Sequence, residues 1–476
     1  MLEATTKGSG RMLNWSHLPP IKPKYLAITQ FIKQAIQNGD LLPGQRLPAE
    51  RELATLLHVD RSTVTRALLD LAAVGILVKK RGSGTFVAQL PHVNQLANKV
   101  NWQAFLENTT ATRHATYQRK LAKARTTATV PLIDAAANEL PTNLIPQLGT
   151  LTLDWQVFLT AQQQEERTGY LPLMQTINRY HTARQQFTLD RQSLIITGGA
   201  QQALLLILNS LLQPGDAVAF VTPSYFSASA VFSAAGVRAY TIPTTTLGLD
   251  LTALETAIIK HRIKLLILNP TLQNPTGRIL PLAERQAILA LCQRYQVAIV
   301  EDDVFGWLVD RDIAVPPFKA LAPDNVIYIS SLSKLLGSNT RIGWIVAPQA
   351  IGERIRQVQK NLDLVPSLLA QVMVDHALNS PEFSLGVTQL TTQLAQRRQN
   401  VTAILRQLRP DWHFVTPLGG FYLWVTQADR NIFEHLLEQH LLVTPGPIYG
   451  ADRSAFRFNF AGLDYRQQTV LIDRLR

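Results

Sequence analysis

Two regions of the chain carry different hydrophobic periods. Between residues 22 and 90, Leu26, Ile28, Ile32 and Ile36 recur at helical spacing and predict a helix over 25–37, closed by Asn38-Gly39-Asp40. The turn-rich connector Leu42-Pro43-Gly44-Gln45-Arg46-Leu47-Pro48 leads to a second short helix over 49–57, and a third follows over 62–73. His58-Val59-Asp60-Arg61 is the tight turn between them, with Asp60 or Ser62 as its N-cap. Residues 75–78 and 85–87 then flank Lys79-Lys80-Arg81-Gly82-Ser83-Gly84, a β-hairpin with a basic, glycine-rich tip. No Gly-Lys-Ser/Thr follows those glycines, so a hairpin turn accounts for them better than a phosphate loop does. Two short helices joined by a brief turn form the helix-turn-helix pattern, in which the second helix enters the major groove.

Beyond residue 131 short apolar runs alternate with helical segments, the pattern of a mainly parallel sheet wound by helices. Strands are predicted at 194–197, 218–221, 265–268, 298–300 and 326–329, and each runs into a chemically distinctive stretch. The first meets Gly198-Gly199-Ala200-Gln201 at the head of a Leu-rich helix, where backbone N–H groups and the helix dipole can face an anion. The second ends in Thr222-Pro223-Ser224-Tyr225 and the third in a loop that carries Asn274. The fourth runs into Glu301-Asp302-Asp303, and the fifth into Ser330-Ser331-Leu332-Ser333-Lys334. A lysine just past a strand end sits where open α/β sheets bind ligands. In apolar surroundings its amine has a lowered pKa, which suits Schiff-base formation with an aldehyde. Near the end, residues 456–460 alternate like a strand and include Arg457, whose fork suits a carboxylate.

Between the two regions, from about 91 to 130, the pattern fades. Residues 108–130 contain no acid but hold Arg113, Arg119, Lys120, Lys123 and Arg125, and read as a basic, solvated connector. Three segments are therefore expected: 20–90, a linker over 91–130, and 131–476. A length of 476 residues fits two or three domains, and a 46% hydrophobic content supplies their cores. No apolar run reaches the ~20 residues of a membrane span, and no signal peptide is visible. The single cysteine, Cys292, excludes an internal disulfide framework and fits a reducing, cytoplasmic setting. Net charge is +12 and favours a polyanionic partner. Residues 22–90 hold 10 Lys/Arg against 5 Asp/Glu, which is +5 of that total.

Leu-Pro-Ala-Glu-Arg-Glu-Leu-Ala from residue 47 and Asp-Arg-Ser-Thr-Val-Thr-Arg-Ala-Leu from residue 60 resemble the winged-helix domain of GntR-family regulators. The resemblance implies double-stranded DNA as partner, with contacts from Arg51, Arg61, Ser62, Thr63 and the wing residues Arg81 and Gly82. Lys79 and Lys80 are expected on phosphates. Many family members carry arginine where Thr65 stands; Arg66, counted among the DNA contacts, is one residue on and about 100° round the helix from that position.

The ordered set of strand ends resembles fold-type I pyridoxal-phosphate aminotransferases. The resemblance implies that Gly199, Ala200 and Gln201, with Ser331 and Arg341, hold the cofactor phosphate. Tyr225 would stack on the pyridine ring, Asn274 would bond its ring oxygen and the substrate, and Asp302 would face the ring nitrogen. Lys334 would carry the cofactor and shuttle protons, and Arg457 would take the substrate carboxylate. Asp303 reads as a capping or solvated carboxylate. Family aminotransferases commonly have tyrosine three residues after the aspartate; this chain has Phe305.

The fusion of the two halves resembles the MocR/GabR subfamily of bacterial transcription regulators. A homodimer is expected that binds a DNA operator and senses an amino compound or pyridoxal phosphate, with transamination confined to half-reactions if it occurs. The alternative is a metabolic aminotransferase acting on an amino acid and a 2-oxo acid.

Overall fold

The computed structural model describes residues 15, 18–37, 40–42, 44–80, 82–88, 112–128, 130–150, 152, 154–164, 169–185, 187, 193–245, 248–309 and 311–476. The chain divides into two compact units, 1–112 and 113–476.

In the first unit, helices α1 (Lys24–Gln37), α2 (Glu50–Leu56) and α3 (Arg61–Ala73) precede a hairpin of β1 (Leu77–Lys80) and β2 (Gly84–Val87). The hairpin is antiparallel, with Leu77 opposite Val87 and Lys80 opposite Gly84. Arg46 adds an isolated bridge to Phe86, so the connector between α1 and α2 forms a third edge. Ile28 and Ile32 of α1, Leu53 of α2, Val64, Leu68 and Leu71 of α3, and Leu77 and Val87 of the hairpin close one apolar core. This is a winged helix-turn-helix. Asp60 stands at the N-cap of α3 in extended backbone but makes no side-chain cap bond.

The second unit opens with α4 (Thr112–Thr127). Here the expected solvated linker is corrected. Leu121 is buried, Tyr117 packs edge-on against Phe433 at 5.3 Å, and Lys120 pairs with Glu434 at 2.5 Å. Arg125 grips Asp134 through two bonds of 2.7 and 3.1 Å. Apolar docking of Tyr117 and Leu121 makes the second half of the connector part of the large unit.

The large unit is built on eight strands: β3 (Leu194–Thr197), β4 (Ala217–Thr222), β5 (Arg238–Thr245), β6 (Gly248–Leu249), β7 (Ile263–Leu268), β8 (Ala298–Asp302), β9 (Val326–Ser331) and β10 (Gly343–Val346). Their order in space is β3-β10-β9-β8-β7-β4-β5-β6. Only β10 and the terminal β6 run antiparallel to their neighbours. Alternate residues serve opposite faces: Val218, Phe220, Leu265 and Ile267 join one core, while Ala217, Ala219, Leu266 and Leu268 join another. Burial on both faces explains why the strands read as continuous apolar runs. Helix α5 (Ala200–Leu211) follows β3 directly. A smaller α+β part follows helix α6 (Pro381–Leu408), with the three-stranded sheet of β11 (Tyr422–Thr426), β12 (Thr444–Pro445) and β13 (Ala455–Asn459) in the order β11-β13-β12.

Candidate functional site

The topology carries the ends of β3, β4, β7, β8 and β9 to one edge of the sheet, the usual ligand edge of an open α/β fold. Gly199 caps α5 with φ +93°, a conformation that suits glycine. A Cβ on Gly343 would lie 2.8 Å from the Ser330 carbonyl and 3.0 Å from Gly199 Cα, so the β10 backbone presses directly against this turn. Ser331 Oγ lies 3.0 Å from Ser333 Oγ and bonds the Ile342 carbonyl at 2.8 Å. Arg341 is exposed and forms no ion pair among the described residues. The N–H groups of Ala200 and Gln201 open α5 and, with the Ser333 hydroxyl, form a donor set for an anion with several oxygens.

Lys334 is half-buried, and its Nζ donates to the Asn138 carbonyl at 2.9 Å and lies 5.6 Å from the Phe305 ring centre. Desolvation, and then the charge of Arg457, lower its pKa to about 8 against the pull of Glu139 and Asp302. Asp302 is buried and held at the end of β8, with its main-chain carbonyl bonded by Asn269 Nδ2 at 2.7 Å. Burial raises its pKa to about 6, opposed by bonds from Tyr225 and the Val304 N–H. Asn274 is fixed by the bond from its N–H to Asn269 Oδ1 at 2.9 Å.

Arg457 is 1% exposed. Its guanidinium stacks 3.9 Å from the Tyr422 ring centre and donates to Asn274 Oδ1 at 3.1 Å, Asn138 Oδ1 at 2.5 Å and the Ala137 carbonyl at 3.1 Å. Among the described residues it meets no carboxylate, and its Nε finds no acceptor. A buried guanidinium surrounded by neutral acceptors favours binding of an anionic group.

Two expectations change. Tyr225, expected to stack on a pyridine ring, donates its hydroxyl to Asp302 Oδ2; a ring nitrogen and this phenol compete for one carboxylate. Asp303 is not solvated: it is buried and accepts from Tyr328 Oη at 2.7 Å. A Cβ on Gly306 would collide with the Asp303 carboxylate, so the turn closes tightly over it. Asn138, Asn269 and Tyr422 were not legible as site residues. Asn138 lies in an alanine tract without chemistry of its own, although Asn269 at a strand end was a usable signal.

In the first unit Arg51 of α2 and Arg61 and Ser62 of α3 are exposed, and Thr63 of α3 is half-buried. Gly82 has φ +77° with open space around it, as expected at a wing tip. Arg81 lies outside the described residues. Arg66 is corrected: its guanidinium lies 3.9 Å from the Tyr25 ring centre, which ties α3 to α1. Lys79, expected on a phosphate, has its Nζ paired with Glu50 at 2.9 Å.

The geometry defines a fold-type I site joined to a winged helix-turn-helix. The aminotransferase class I and II model matches residues 131–475, and the model of bacterial regulatory proteins of the gntR family matches residues 24–87. The chain belongs to the aminotransferase class I and II family and carries a gntR-type DNA-binding domain ahead of it. HTH-type transcriptional regulator YdfD of Bacillus subtilis (strain 168) is 29% identical over 94% of this chain and 95% of its own. HTH-type transcriptional regulator NorG of Staphylococcus aureus (strain N315) is 28% identical over 87% and 95%. An archaeal alanine:glyoxylate aminotransferase shares the fold with a TM-score of 0.68 and 24% identity, over 79% of this chain and 96% of that one. So does LysN, an α-aminoadipate aminotransferase of Thermus thermophilus, with a TM-score of 0.64 and 24% identity over 79% and 97%.

Pyridoxal phosphate is the cofactor of this family. The residues present fit it: an anion cradle at Gly199–Gln201, an amine at Lys334 and a carboxylate at Asp302, all on one sheet edge. Only the unprotonated amine adds to an aldehyde. Capture of pyridoxal phosphate is therefore expected to accelerate with pH up to about 8 and level off above it, whereas an ordinary lysine continues to about 10.4. Rates of colour formation across this pH range check the point; a rate still climbing steeply above 9 contradicts it.

Proposed function

We propose that the protein is a transcription regulator that binds an operator through its winged helix and uses an aminotransferase-like domain to sense an amino compound or pyridoxal phosphate itself. The observation that carries the sensing half is the buried Arg457, which faces only neutral acceptors beside Lys334. The relatives named as regulators match nearly the full length, winged helix included, and favour this reading over a metabolic aminotransferase. The chain acts as a homodimer, on the ground that fold-type I sites are completed at a subunit interface, and it works in the cytoplasm beside the chromosome. Among the described residues no helix is long and apolar enough to cross a membrane.

Pyridoxal phosphate, when bound, supplies an electron sink for bonds at an amino acid's α carbon. The chain's own residues set up that chemistry. The amides of Gly199, Ala200 and Gln201, with Ser331 and Arg341, would hold its phosphate. Asp302, the buried carboxylate at the end of β8, would face the ring nitrogen. Arg457 and Asn274 orient the carboxylate of the amino compound, and Lys334 Nζ moves a proton at its α carbon. Selection of genomic DNA fragments by the full chain, with and without pyridoxal phosphate and candidate amines, tests the reading. Recovery of no preferred site would remove it.

Phe305 bears on how the cofactor is poised. It is buried against Phe421 and Tyr422 and offers no donor to the ring oxygen. Asn274 Oδ1 is engaged by Arg457, while its Nδ2 has no partner among the described residues and remains to donate. A ring oxygen held here would meet a single side-chain donor, Asn274 Nδ2, and having fewer donors disfavours its charged form. Phe305→Tyr is expected to lower the midpoint of the spectrophotometric pH titration; an unchanged or higher midpoint sinks the point.

A further inference from the structure

We propose that Glu50 sets how sharply the winged helix separates its operator from other DNA, by holding Lys79 of the wing strand out of the phosphate-binding set. The proposal rests on DNA binding by this unit and is independent of the cofactor site.

Glu50 opens α2, yet its carboxylate serves two other elements. Oε1 accepts from Lys79 Nζ of β1 at 2.9 Å. Oε2 accepts from Thr65 Oγ1 of α3 at 2.9 Å and lies 4.0 Å from Arg61 Nε. Three elements of the DNA-facing unit thus meet at one acid, which is only 24% exposed. The bond from Lys79 is the main cause of its lowered pKa; partial burial opposes it, and Thr65 and Arg61 add to the lowering. Glu50 is therefore an anion throughout the neutral range.

Affinity for random DNA comes from cations that neutralise phosphates and release counterions. A lysine already paired at 2.9 Å contributes little to that term, and Lys79 is in this state. Arg66, over Tyr25, is likewise engaged within the unit. Arg61 differs: its contact with Glu50 is long and its side chain is 56% exposed, so a base edge can draw it away. The acid also repels phosphates that approach off register, a device that improves specificity without any new contact. Thr65 follows the same logic. Its hydroxyl is committed to Glu50, so this position fixes α3 against the wing strand and does not read a base.

The test measures affinity of the full chain for a random duplex and for a selected site, from about 50 to 200 mM salt. Glu50→Gln keeps an acceptor for Lys79 and Thr65 but removes the charge. It is expected to tighten binding to the random duplex and to steepen the salt slope by about 0.9 for each freed cation. Lys79→Gln is expected to leave the slope at its wild-type value, and this arm stands whether or not the Glu50 variant folds. A fall of about 0.9 in Lys79→Gln places that lysine on a phosphate and overturns the proposal. An unchanged slope in folded Glu50→Gln does the same. Thr65→Val removes the hydroxyl anchor alone; steepening there equal to that of Glu50→Gln would trace the effect to helix position and also overturn it. A wild-type chain that binds neither duplex ends the DNA-binding reading itself, a result plainly different from the others.

Discussion

Lys334→Ala protein, mixed with pyridoxal phosphate and desalted, is expected to emerge colourless, while the wild type emerges yellow and keeps its cofactor after borohydride reduction. The substitution removes the amine at the end of β9 with the lowered pKa and leaves the anion cradle at Gly199–Gln201 in place. The phosphate subsite alone should still hold the cofactor, weakly and without a covalent link. Retained colour after desalting would place the attachment elsewhere. Lys319 is the competitor to exclude: it too is buried with its pKa lowered to about 8, chiefly by desolvation. Its Nζ, however, donates to the Pro323 carbonyl at 2.6 Å and the Val326 carbonyl at 2.9 Å. Those bonds place it at the start of β9, the opposite end of the strand from the ligand edge.

Arg61→Ala is expected to weaken binding to the selected operator by about 5- to 150-fold, the about 1–3 kcal/mol of one base contact. Random DNA should lose far less. Arg61 heads α3, is exposed, and is held only by a 4.0 Å contact with Glu50, so it is placed and free to reach a groove. Equal losses on both duplexes would make it a phosphate contact; no loss on the operator would mean that α3 is not the reading helix.

Much of the site was legible because each piece is local. Gly198–Gln201, Asp302 and Lys334 each sit within a few residues of a strand end, and strand ends are where apolar runs stop. What escaped depends on contacts distant in sequence. Asn138 meets Arg457 across 319 positions and Tyr225 meets Asp302 across 77, and no local pattern encodes either meeting. Asp303 looked solvated because a carboxylate next to another carboxylate usually is; the Tyr328 hydroxyl and the close turn at Gly306 bury it. Helix α4 carries Tyr117, Leu121 and Ala124 at helical spacing, but basic residues dilute the stripe. Packing against Phe433, more than propensity, fixes it. In the winged helix, Arg66 follows Thr65, the position where many family members carry arginine, so its offset was legible but its partner was not. One residue along a helix is about 100° of rotation, enough to place it over Tyr25.

The most direct measurement is a titration of the selected operator with the full chain, first free of pyridoxal phosphate, then loaded, then loaded in the presence of each candidate amino compound. Sensing through Arg457 and Lys334 predicts that operator affinity shifts on loading or on addition of one compound, and that Arg457→Met abolishes the compound's effect while leaving unliganded DNA binding intact. Operator affinity indifferent to cofactor and to every compound, alongside sustained turnover of an amino acid with a 2-oxo acid, would contradict the regulator reading and leave a metabolic aminotransferase.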